Sequence, residues 1–263
     1  GLVTEEREGP DDANPDLTCH ELVRERIRAW MAQQPRDRGE WTENAIRLAY
    51  AEWLESAFKE FMHQNMSAAL QAGSRALVYC VQAEDWNRLV NFASDVVTST
   101  SDPRLLEGLI PHLQTAAESA PEGRPRWSCL CYLADALRLG GRPDAGLPFY
   151  EQATTLARAA AEAEGESSQP AWADLAWITG NWANALGDVG QMDPARQRRL
   201  ESTEAEKQAG MPPVNVIGSE LEALRIDIQQ GQVATALPEV EARLKQVAVW
   251  WQRHRADQIV PEA

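Results

Sequence analysis

The chain has 263 residues, 44% of them apolar, enough to bury a core and enough for one helical array or two ordinary domains. Its formal charge is −15, with 25 Lys and Arg against 40 Asp and Glu, so phosphate backbones and anionic membrane surfaces are repelled and nucleic acid is not an expected partner. No apolar run approaches the roughly 20 residues that span a bilayer, and no signal peptide opens the chain, so a soluble, cytoplasmic protein is expected.

The chain opens Gly1-Leu2-Val3 without a methionine, which reads as a piece cut from a longer protein. Residues 1–6 suit a short strand, residues 8–16 are acidic and turn-rich, and residues 17–19 are placed to pair back as a hairpin. Thr18 and Glu21 have the spacing of a capping box. A helix is predicted from there to about residue 34, with Leu22, Val23, Ile27, Trp30 and Met31 on one side.

From Trp41 on, helix follows helix. The pattern predicts helices over 42–63, 66–82, 85–99, 103–119, 125–139, 143–165, 169–189, 193–209, 213–230 and 233–256. Asp85, Asp102, Asp144 and Asp193 stand where a carboxylate favours exposed first-turn amides. Pro103, Pro143, Pro194 and Pro213 stand where a missing N–H does no harm, whereas Pro111, Pro148 and Pro238 fall deeper and are expected to kink a helix or move its boundary. The polar stretch 161–170 reads as a poorly ordered loop. Cys19, Cys80, Cys129 and Cys131 have no framework spacing and read as buried, reduced thiols. The four histidines are scattered, so no metal site and no cofactor are expected.

An internal design recurs three times. Leu130, Leu133, Ala134 and Leu137 precede Gly141, and Gly146, Leu147, Tyr150 and Ala153 follow it. Trp182, Ala183 and Leu186 precede Gly190, with Ala195 after it; Leu224 precedes Gly231, with Ala236, Leu237 and Val240 after it. A fainter copy has Trp53, then Ala69, Leu70 and Ala76 around a turn at Gln64-Asn65. The glycine turns the chain between two antiparallel helices. The small residue five positions later lets the second helix approach the first, so alanine at Gly146 is expected to be tolerated and leucine to open the pair.

This pattern resembles the tetratricopeptide repeat (TPR) family. The resemblance implies an all-α superhelix of about five antiparallel helix pairs over residues 42–257, with 258–263 as a tail. The glycines stand 49 and 41 residues apart rather than at the family's period of 34, so longer helices or loops are expected. In the family the first helix of each pair lines a concave groove for a protein or peptide. Carried over residue by residue, Tyr132, Asp135 and Arg138 fall on that face, as do Asn181, Asn184 and Arg225. Family members that clamp a peptide C-terminus use Asn with Lys or Arg at such positions. Asn181 and Asn184 match, while basic partners are not evident in the sequence, and helix–helix bonding is the alternative role for both asparagines. Of the adjacent Trp250 and Trp251, one is expected to pack on the previous helix and the other to cover the end of the array or bind a neighbour.

The segment Leu17-Thr18-Cys19-His20-Glu21-Leu22-Val23-Arg24 resembles the Met-His-Asp motif that closes the winged-helix domain of STAND and NB-ARC signalling NTPases, with Cys19 for Met, His20 matching and Glu21 for Asp. The resemblance implies a winged-helix remnant over residues 1–34. It also implies a nucleotide-sensing role for His20, on the β-phosphate of ADP, in a full-length protein. The sequence has no GxxxxGK[ST] loop of its own. The expected function is a protein–protein interaction and sensor module in such a signalling protein; the alternative is a TPR adaptor or scaffold without a nucleotide switch. No nucleophile–base–orienter set stands out, so no enzyme activity is expected. The sequence leaves the oligomeric state open.

Overall fold

A computed structural model describes residues 43–164 and 169–257. The proposed 1–34 unit, with its hairpin and His20, lies outside the described residues, as does the 258–263 tail. Among the described residues, regular structure is entirely α-helical. The helices are α1 (Glu43–Phe61), α2 (Met66–Gln82), α3 (Trp86–Thr98), α4 (Pro103–Glu107), α5 (Ile110–Ser119), α6 (Arg124–Leu139), α7 (Pro143–Glu164), α8 (Gln169–Asp188), α9 (Met192–Gln208), α10 (Pro213–Gln229) and α11 (Val233–Asp257).

The helix starts follow from their first-turn chemistry. Asp85 accepts from the Arg88 N–H at 3.1 Å, Asp102 from Arg104 at 2.9 Å and Asn65 from Ala68 at 3.1 Å, each satisfying an amide that has no partner inside the helix. The single helix expected over 103–119 is broken between Glu107 and Ile110. Pro111 has no N–H to give the Glu107 carbonyl, so it is accommodated in the first turn of a new helix. Leu109 bridges the break with a tight bond to the Leu106 carbonyl at 2.9 Å. Pro148 and Pro238 do not move a boundary: both lie on exposed faces inside α7 and α11.

Four of the turns end in a left-handed glycine, at Gly141 (φ 82°), Gly190 (φ 76°), Gly210 (φ 66°) and Gly231 (φ 84°). In each, the next N–H reaches back to a carbonyl five residues before it: Arg142 to Leu137 at 2.9 Å, Gln191 to Leu186 at 2.8 Å, Met211 to Glu206 at 3.0 Å and Gln232 to Asp227 at 2.9 Å. The turn from α2 to α3 makes the same bond, Asp85 to Cys80 at 3.0 Å, but Glu84 holds the left-handed position at φ 57°. A side chain with a Cβ is strained there. Glu84→Gly is therefore expected to raise stability by about 0.5–1 kcal/mol, read as a higher denaturation midpoint at unchanged slope.

These turns fold the chain into stacked antiparallel pairs, the arrangement of a TPR-like array. α1 pairs with α2, α6 with α7, α8 with α9 and α10 with α11, while α3 and the split α4–α5 lie between α2 and α6. The long spacing of the turn glycines is taken up by helix length: α7 has 22 residues and α8 has 20. α6 is the central element. Every residue from Trp127 to Leu137 is buried, because α3, α4, α5, α7 and α8 all pack on it. Aromatic contacts fill the layers, with Phe58 edge-on to Phe92 at 5.2 Å and Tyr132 against Trp177 at 5.0 Å. Cys80, Cys129 and Cys131 are free and buried, and burial pushes the Cys80 and Cys129 thiols up to about 12.

Close approach is tightest where α6 meets α7. A Cβ on Gly146 would stand 2.9 Å from the Ala134 carbonyl oxygen and 3.5 Å from its Cα. This corrects the expectation that alanine is tolerated there: the obstacle is backbone, which cannot swing aside. At the equivalent positions of the next two pairs, Ala195 and Ala236 carry their methyl groups buried.

Candidate functional site

Asp135, in the middle of α6, is 5% exposed and ties three helices together. The Tyr150 hydroxyl of α7 donates to its Oδ1 at 2.5 Å, and the Asn181 amide of α8 donates to its Oδ2 at 3.0 Å. The Cys131 thiol lies 3.9 Å from Oδ2. Burial pushes the Asp135 carboxyl up to about 6, against the opposing pull of the Tyr150 hydroxyl, the Arg138 guanidinium and the Asn181 amide. A similar knot lies one turn from the start of α6, where Asp174 of α8 accepts from Arg124 Nε at 2.9 Å and Trp127 Nε1 at 3.1 Å.

This placement corrects part of the groove assignment. Tyr132 and Asp135 are in the packed interior, one against Trp177 and the other at the centre of the polar knot. Asn181 spends its amide N–H on Asp135. A one-dimensional repeat pattern assigns faces by counting along one helix, and α6 is buried on every face.

The remaining three predicted residues converge. Arg138 of α6, Asn184 of α8 and Arg225 of α10 line one cavity of about 250 Å³, joined by Arg199 from α9 and closed on one side by Asp188. Arg199 Nη2 donates to Asn184 Oδ1 at 2.6 Å and fixes the orientation of that amide. Arg138 Nη1 reaches Asp188 Oδ2 at 3.3 Å, and Arg225 Nε reaches Glu222 Oε2 at 2.8 Å. Arg138 and Arg225 are thus each bonded to one carboxylate, and Arg199 to an amide oxygen. Burial pulls the Arg199 guanidinium down, only partly offset by the fields of Glu222 and Glu206. The buried Nε atoms of Arg138 and Arg199 have no hydrogen-bond partner among the described residues. Partly desolvated guanidiniums gain from an incoming carboxylate.

Sequence reading missed Arg199. It sits on the second helix of its pair, and only the closeness of α8 and α9 carries its side chain across to Asn184. A second, larger cavity of about 540 Å³ lies between α1 and α3 and has the opposite character. Glu52, Glu55 and Asp95 line it together with Arg88, which bonds to Glu52 at 2.7 Å and to Asp85 at 3.2 Å. Its one cation is already neutralised, so it offers no comparable site for an anion. Among the described residues no group of three or more His, Cys, Asp or Glu stands together as metal ligands, and no helix is long and apolar enough to cross a membrane.

No protein family model matches the chain, and no curated protein matches it. Its fold is similar to that of a Rap protein, whose crystal structure is of the complex with competence and sporulation factor, at 14% sequence identity and a TM-score of 0.51. The similarity covers 86% of this chain but only 59% of the Rap protein. A second solved structure, BtubC (BKLC) from P. vanneervenii, overlaps at 14% identity and a TM-score of 0.42, over 84% of this chain and 95% of that one. At such identities what is shared with the Rap protein is the helical fold.

Proposed function

We propose that this chain is a TPR-like interaction module, an adaptor or scaffold that holds a protein or peptide ligand against the first helices of its pairs. The observation that carries the reading is the convergence of Arg138, Asn184 and Arg225, from three successive first helices, on one cavity that Arg199 completes. The stacked pairs form a rigid frame, and the side chains they aim at a common point are cationic and amide donors. That chemistry selects an acidic side chain or a chain-terminal carboxylate on an otherwise extended peptide. The Rap protein that shares the fold carries a bound factor in its crystal structure, which supports binding rather than chemistry as the role of this architecture. No enzymatic step is proposed. The finer role in a nucleotide-switched signalling protein rests on residues 17–24 and His20, outside the described residues, and the comparisons lend it no support.

The test is a displayed peptide library panned on the immobilised chain, followed by fluorescence polarisation of the enriched peptides. Acidic or carboxylate-dependent peptides are expected. Arg225→Ala should weaken their binding at least about tenfold, the loss of one charge-assisted contact, at an unchanged melting temperature, since that side chain is half exposed. Peptides indifferent to Arg225→Ala and Asn184→Ala, or a library that yields none, would remove the basis for the proposal.

A further inference from the structure

Arg199 and Tyr150 occupy the same place in successive helix pairs. Each stands nine residues after its turn glycine, Gly190 or Gly141, and each donates to a side chain six residues before that glycine. The Tyr150 hydroxyl reaches Asp135 Oδ1 at 2.5 Å, and Arg199 Nη2 reaches Asn184 Oδ1 at 2.6 Å. In the last pair Val240 takes this place and has nothing to donate. What differs between the α6–α7 and α8–α9 pairs is the helix that the side chain crosses. Tyr150 is wholly buried, and ten residues before its glycine stands Cys131, whose thiol lies beside Asp135. Ten residues before Gly190 stands Gly180, buried on α8 one turn from Asn184. A Cβ there would lie 3.0 Å from Arg199 Nη1 and 3.2 Å from Ser202 Oγ, inside the roughly 3.5 Å of ordinary contact.

The two neighbours of that added methyl differ in how they can yield. The Ser202 hydroxyl donates to the Ala176 carbonyl at 2.7 Å and so ties α9 to α8. The guanidinium is the far end of a flexible side chain, so the contact is relieved by its retreat, which takes Nη2 off Asn184. We infer that Gly180 is a positioning residue of the Arg-lined cavity. Its bare backbone is the slot in which the Arg199 guanidinium lies across α8, and it turns a place that holds a packing ring in the preceding pair into a cationic ligand contact. A cation held in one orientation has less freedom to lose when a carboxylate arrives, so the slot favours binding through preorganisation. The consequence for binding rests on the cavity being the acidic-ligand site proposed above; the consequence for the Arg199–Asn184 bond does not.

Gly180→Ala in the full chain tests this with and without ligand. Without ligand, the denaturant midpoints of Arg199→Ala, Asn184→Ala and the double variant measure the coupling between the two side chains. Coupling is expected in the wild type, and its loss when the cycle is repeated in the Gly180→Ala background. The melting temperature of Gly180→Ala should not fall, because alanine favours the helix and the arginine swings away. With ligand, the acidic peptides that lose affinity on Arg225→Ala should bind Gly180→Ala about tenfold more weakly, the loss of one charge-assisted contact. Arg199→Tyr, which copies the preceding pair, should fold and lose affinity to the same extent. Absence of coupling in the wild type, or coupling that survives Gly180→Ala, would overturn the inference whether or not any peptide binds. So would a lowered melting temperature, which would mean that the methyl parts α8 from α9 instead. Peptides weakened by Arg225→Ala but held at full affinity by Gly180→Ala or Arg199→Tyr would overturn it and leave the acidic-ligand reading standing.

Discussion

Gly146→Ala is expected to lower the stability of the array by about 1–3 kcal/mol, although it adds a single methyl group to a helix. In isolation the change favours folding, since alanine is better than glycine by about 1 kcal/mol inside a helix. The opposing effect is steric. The new Cβ would meet the Ala134 carbonyl oxygen at 2.9 Å, where only movement of α7 away from α6 relieves the contact. That movement loosens the Tyr150 and Ala153 contacts across the pair, both fully buried. Gly218→Ala is the control. It lies inside α10 with nothing within 4 Å of an added Cβ, so propensity acts alone and stability should rise by about 1 kcal/mol. Denaturant midpoints of the two variants should therefore move in opposite directions. Equal shifts of one sign would show that α6 and α7 do not approach as described.

The second large effect is a pH dependence centred on Asp135. Its carboxyl is held at about 6 in the folded chain, against about 3.9 when unfolded, because burial disfavours the charge. The folded state thus binds this proton more tightly than the unfolded state. Below pH 4 both forms are protonated and burial of the group carries no charge penalty. From about pH 4 to 6 the unfolded chain ionises first and stability falls, by on the order of 3 kcal/mol in total, and above that range the loss is complete. Asp135→Asn keeps the shape. Tyr150 still has an oxygen to donate to, and Asn181 can turn its own amide oxygen toward the new N–H₂. The variant should lack the decline. His112, whose imidazole is pulled down by burial, works in the opposite direction, so the difference between wild type and Asp135→Asn isolates the carboxyl. Parallel stability profiles from pH 4 to 7 would show that Asp135 is not the buried charge at the centre of the three-helix knot.

Helix existence was legible because each helix carries its own punctuation. Asp85 and Asp102 mark starts, and Gly141, Gly190 and Gly231 mark turns, through chemistry confined to a few neighbouring residues. The break before Pro111 was flagged by the proline itself, but where it fell depended on the local bonding of Leu109. The site was half legible. The repeat pattern sets Arg138, Asn184 and Arg225 on first helices, and their side chains line one cavity. Tyr132, Asp135 and Asn181 occupy matching repeat positions on helices with different neighbours, and those neighbours bury them or bond to them.

What the amino-acid order determined by itself is therefore local: where the backbone turns, which side chains lie on one stripe, and that small residues recur where helices cross. Which stripe is buried was decided by tertiary structure, because α6 is enclosed by five other helices while α11 packs on α10 and keeps Leu237, Leu244 and Trp251 exposed among the described residues. The same packing carried Arg199 across from a second helix to complete a cavity and turned Gly146 from a permissive position into an intolerant one. Periodicity records the direction of a side chain from its own helix axis; what stands in that direction depends on a segment tens of residues away, and only the folded chain brings it there.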